Sequence, residues 1–158
     1  ETCTELGESL VCEGAREYVI DDAELERVKS EYPVIWKNPD AKPKLCFMGC
    51  PHMSLEQLKS WTDKVEAALM EAGNKKVLIP TVFTAAPKVL EAFEKTPYYA
   101  RLRATGVIIS YICPLMYMNN PLCKAMPVIT SSNKLRTYTT SRYYRDEEIL
   151  SMITGGKK

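Results

Sequence analysis

Four short apolar runs, each separated from the next by a segment with helical spacing or helical caps, constrain this chain more than any other feature. They are KLCFMG at 44–49, KVLIPT at 76–81, GVIISYI at 106–112 and MPVIT at 126–130. Successive rather than alternate positions are apolar, so each run reads as a strand buried on both faces. Such strands need cover above and below, and intervening helices supply it. The pattern predicts an α/β fold, a three-layer αβα domain with a mainly parallel sheet of about four strands.

The helices are legible from their caps. Ser54 and Gln57 form a capping box, and Leu55, Leu58, Trp61, Val65 and Leu69 then share one stripe until Gly73. A second helix is expected from Thr84 to about Phe93, with Pro87 admissible in its first turn. Thr96-Pro97 opens a third, which Gly106 ends. Residues 115–124 read as a short helix, TTSRYYR at 139–145 as a polar, aromatic loop, and a last helix is capped by Asp146 and closed by Gly155 and Gly156. Upstream, Asp21 and Asp22 cap a helix with Leu25 and Val28 on one face, Pro33 stops it, and WKNPDAKPK at 36–44 is a loop. Residues 1–20 lack a sustained period and read as an arm or the remnant of a longer subunit; residues 21–158 read as a single domain. Glu1 in place of a methionine reads as a cut or processed boundary.

Composition removes several classes of function. With 21 basic and 20 acidic residues and no basic cluster, the chain lacks the cationic face that nucleic-acid binding requires. Its apolar runs fall far short of the ~20 residues that span a bilayer, so no membrane partner is expected. Six cysteines, at 3, 12, 46, 50, 113 and 123, are even in number, but a chain with this much apolar sequence has core enough without bridges. Reduced thiols in a cytoplasmic protein are the expectation. There is no C-x-x-C pair, as a zinc site or a thiol-redox motif would use, no Walker loop, no GxGxxG and no GxSxG.

In parallel sheets ligands bind beyond the carboxyl ends of the strands. Gly49-Cys50-Pro51-His52 follows the first run, Thr81-Val82-Phe83-Thr84 the second, Cys113-Pro114 the third, and Thr130 to Lys134 the fourth. Proline has no amide hydrogen and directs the chain, so each Cys-Pro step presents a thiol at the sheet edge. Convergent thiolates suit an iron–sulfur cluster, whereas a free cysteine is also an ordinary small hydrophobe. The second description fits Cys46, in mid-strand; for Cys50 and Cys113 both stand. His52 is placed either for acid–base work or as a loop residue. Ser131, Ser132 and Lys134 suit a carboxylate or phosphate, and equally an ordinary polar turn.

Taken together, PKLCFMGCPHMSLEQL at 43–58, ICPL at 112–115 and VITSSNK at 128–134 resemble the catalytic or large subunit of aconitase X. That family includes cis-3-hydroxy-L-proline dehydratases and archaeal phosphomevalonate dehydratases. The resemblance runs from about Val19 to near the C-terminus and corresponds to the C-terminal part of a much longer subunit. It implies a hydro-lyase that dehydrates a small hydroxy acid with an iron–sulfur cluster as Lewis acid. Cys50 and Cys113 match the family's cluster ligands, with a further ligand outside this chain; His52, Ser132 and Lys134 match its catalytic, substrate-facing positions. The implied partners are the rest of the large subunit and a small swivelling subunit or domain, without which the chain is expected to be metal-free and inactive. Two positions depart from the pattern: Tyr111 stands where an acidic residue is usual, and Thr137-Tyr138 where a His-Tyr pair is usual. These departures keep open an alternative, a non-catalytic ligand-binding or interaction domain of the same fold.

Overall fold

The computed structural model describes residues 11–156, so Cys3 lies outside the described residues. The chain divides into two compact units, one ending at Pro33 and the other beginning at Val34. In the first, helix α1 (Asp22–Ser30) is capped by Asp21, whose carboxylate accepts from the Glu24 amide at 2.8 Å. Arg27 pairs with Glu24 and Glu31 along the helix, and α1 buries none of its residues.

The second unit holds strands β1 (Leu45–Met53), β2 (Thr81–Ala85), β3 (Ile108–Ser110), β4 (Val128–Thr130) and β5 (Arg142–Tyr143). All pairings are parallel, and the spatial order is β3-β2-β1-β4-β5. The chain starts at the centre, builds outward through β2 and β3, then returns to the other side of β1 for β4 and β5. The direction of winding therefore reverses between β1 and β4, where parallel sheets open a crevice.

Helices α2 (Leu55–Glu71), α3 (Pro87–Glu94), α4 (Pro97–Ala104) and α8 (Asp146–Thr154) cover one face; α5 (Pro114–Met118), α6 (Pro121–Lys124) and α7 (Asn133–Tyr138) cover the other. Alternation along β1 shows the three layers directly. Cys46 and Met48 pack with Leu58, Phe93, Leu102 and Ile149, whereas Leu45 and Phe47 pack with Met118, Cys123 and Leu135. The α2 stripe behaves as its spacing predicts, with Leu58, Trp61, Val65 and Leu69 buried and the Ser54–Gln57 capping box formed. No helix among the described residues is long and apolar enough to cross a membrane.

Five strands form where about four are expected, and one is displaced. The second strand begins at Thr81 rather than at 76, because the KVLIP segment bonds elsewhere: Val77 N–H to Thr105 O at 2.9 Å and Leu78 N–H to Ile153 O at 2.7 Å. Thr84 consequently lies inside β2, and α3 starts at Pro87 behind Ala86. Residues 115–124 make two short helices, since Asn120 recaps the chain by accepting from Leu122 N–H at 3.0 Å ahead of Pro121. The turn after β4 winds into α7. The loop at 139–145 contributes β5, whose two residues are too few for any period to register. Arg145, not Asp146, caps α8, its amide donating to the Glu148 carboxylate at 2.8 Å.

Candidate functional site at the carboxyl ends of β1 and β4

β1 and β2 pair in step from Cys46–Thr81 to Met48–Phe83, and again at Met53–Ala85. Five steps along β1 thus face two along β2, a surplus of three residues within Gly49-Cys50-Pro51-His52, where the ladder is interrupted as an excursion near the strand's end. On the other side, β1 pairs with β4 only at Leu45 and Cys46, so these four residues lie outside both ladders. The Cys50–Pro51 peptide is cis.

Side-chain hydroxyls take over where the ladders stop. Thr84, fully buried in β2, donates its hydroxyl to Gly49 O at 2.8 Å and lies 3.2 Å from Met48 O. Gly49 permits this approach. Its φ is +101°, and a Cβ there would stand 2.6 Å from Thr84 Oγ1 and 2.9 Å from Thr84 N. From the other side, Ser132 donates to Cys50 O in a short hydrogen bond, accepts from Leu135 N–H at 3.0 Å as the cap of α7, and is buried. Ser131 reaches Met48 Sδ at 3.5 Å.

The structure therefore brings Cys50 and Ser132 into direct contact. Cys50 is half-buried and packs against the Phe47 side of the core, while His52 and Lys134 are exposed. Cys113 caps α5 at the end of β3 and is also half-buried; Leu115 of α5 packs against the same cluster as Cys50, and α5 touches β1. Tyr111 and Thr137 are exposed. Burial pushes the Cys46 thiol well above its usual range, leaving it a neutral core group. Thr84 falls among the residues at the strand ends in the sequence, but nothing there gives it a role in this site. The signal for that role is a threonine opposite the glycine of a neighbouring strand, and it requires the register.

The family match decides what this arrangement belongs to. Residues 43–153 match the family described as the aconitase X third domain. The chain belongs to that family. Among solved structures, the crystal structure of Thermococcus kodakaraensis aconitase X (holo-form) matches with a TM-score of 0.66 and 20% sequence identity. The match covers 85% of this chain and 33% of that one, so the two share a fold and this chain spans about a third of that protein's length. No protein of curated function matches the sequence. The resemblance read from the Gly49–His52 block and the two later motifs thus agrees with the family match.

For an aconitase X third domain, the donor set bears on an iron–sulfur cluster. Thiolates are the ligands such clusters take, and Cys50 and Cys113 are thiols at strand ends. Among the described residues no group of three or more His, Cys, Asp or Glu side chains comes together to hold a metal. The donors are of the fitting kind but make only part of a ligand set.

Proposed function

We propose that this aconitase X third domain is the cluster-bearing part of a hydro-lyase that removes water from a small hydroxy acid. In this reading it works only when assembled with the rest of the large subunit and a small swivelling subunit or domain. The observation that carries the reading is the excursion at the end of β1, which sets Cys50 against Ser132 where the winding reverses. Ligands of open parallel sheets bind in such a crevice.

Dehydration takes a proton from carbon, breaks a C–O bond and releases the hydroxyl as water. An iron–sulfur cluster, when bound, supplies a Lewis acid for that hydroxyl. Cys50 and Cys113 are this domain's ligands for it, and the remaining ligation comes from outside the described residues. His52, exposed beside the thiol-bearing step, gives or takes the proton. Lys134, exposed on the first turn of α7, pairs its ammonium with the substrate carboxylate. The Ser132 hydroxyl serves the reaction by holding the Cys50 segment, since its hydrogen bonds are already committed to Cys50 O and Leu135 N–H.

Dependence on partners is supported by surface chemistry. Residues 104–123 carry no charged side chain, yet Tyr111, Met116 and Leu122 within them are 65%, 73% and 79% exposed. An uncharged stretch that leaves large apolar groups in water has the composition of an interface core. The second reading, a non-catalytic binding or interaction domain, draws on Tyr111, a phenol where the resemblance expects an acid.

The test is turnover of the assembled enzyme on a panel of hydroxy acids, followed by absorbance of the unsaturated product. Active enzyme whose kcat/KM falls roughly a hundredfold in His52→Ala and in Lys134→Ala is expected. Turnover indifferent to both substitutions would remove the assigned roles, and no turnover on any hydroxy acid would favour the non-catalytic domain.

A further inference from the structure

We propose that Thr84 is a positioning residue for Cys50, and that with Ser132 it forms a two-hydroxyl clamp on the backbone that carries the thiol. The inference deepens the proposed function and rests on its reading of Cys50 as a working thiol.

The argument begins with the register. Gly49 to His52 have no register partner in either ladder, so β1 is irregular just where its backbone carries Cys50. Two hydroxyls, one from β2 and one from the cap of α7, reach consecutive carbonyls there. Thr84 of β2 holds Gly49 O, and Ser132 at the end of β4 holds Cys50 O. Both donors are buried, and Ser132 is fixed further by capping α7. Thr84 can reach Gly49 only because that residue lacks a Cβ. Each neighbour of β1 thus contributes one hydroxyl, and the direction of the thiol is set from both sides. Without the Thr84 hydroxyl, the half-buried Gly49 carbonyl loses its side-chain donor while the rest of the core keeps its shape, so the segment opens locally more often than the fold as a whole.

The test uses the 158-residue chain and needs neither a cluster nor turnover, so it can fail while the hydro-lyase reading stands, and conversely. Alkylation of each thiol by iodoacetamide is followed by peptide mass spectrometry, with Cys113 as the reference outside the clamp and fully buried Cys46 as the reporter of global unfolding. Thr84→Val is expected to raise the Cys50 rate about tenfold relative to Cys113. Ser132→Ala is expected to act in the same direction, and Thr84→Ser, which keeps the hydroxyl, to stay close to wild type. An unchanged Cys50 to Cys113 ratio in Thr84→Val would overturn the proposal. So would a Thr84→Ser variant that behaves like valine, or a rise of Cys46 together with the other thiols in both Thr84→Val and Ser132→Ala, which would mark the two residues as general supports of the fold.

Discussion

Gly49 and Thr84 show how little separates a strand end from a site. Gly49 combines a left-handed φ with contact against a neighbouring backbone, so Gly49→Ala combines conformational strain with overpacking. A loss of about 2 kcal/mol or more is expected in urea unfolding. A loss below about 0.5 kcal/mol would mean the contact relaxes freely. In the sequence, Gly49 reads as the end of an apolar run and the start of the Cys-Pro-His block, with no sign of its contact against Thr84. The Cys-Pro-His block beside it is legible because its residue types carry chemistry; the hydroxyl that holds it is not, because Thr84 sits 35 residues away and its role depends on pairing. Ser132 is legible as a polar residue after a strand. Its commitment to Cys50 O needs the fold, since β4 lies beside β1 only through the reversal of winding.

Among the elements, the caps and stripes read most faithfully. The Ser54 capping box and the α2 stripe depend on local spacing alone, and both form. The second strand is misplaced because KVLIP is as apolar as TVFTA, and only tertiary bonds to Thr105 and Ile153 draw it off the sheet. β2 in consequence buries all five of its residues, and Phe83 meets Trp61 edge-on at 5.6 Å. Phe83→Ala is expected to cost about 3–5 kcal/mol in chemical denaturation; a cost under about 1 kcal/mol would contradict this packing. Helix α1 offers a test in acid. Hydrogen bonds from Arg27 and then Tyr18 hold the Glu24 carboxyl at about 2, below its ordinary 4.5. A depressed carboxyl contributes fully above about 4.5 and loses that contribution as pH falls through about 2. NMR titration of Glu24 is therefore expected to show a midpoint near 2, with α1 amide shifts following it. A midpoint near 4.5 would show that the pairing does not persist in solution.

For the molecule as a whole, the three layers follow from strands apolar on both faces, and that much the alternation of elements declares. The order of strands is not declared. No residue in the chain states that β4 returns to the far side of β1 while β3 stays at the edge, yet this reversal creates the crevice in which Cys50 and Ser132 meet. The thiol set at the strand ends is partial, and the uncharged stretch around Cys113 leaves apolar side chains in water; both have an explanation if the domain completes its site within a larger assembly. Iron and acid-labile sulfide per chain therefore test the account most directly, measured on the assembled enzyme and on the isolated chain after the same anaerobic reconstitution. The account predicts a cluster in the assembled enzyme that is lost in Cys50→Ser and in Cys113→Ser, and little iron in the isolated chain. Iron and turnover unchanged by both substitutions would contradict it.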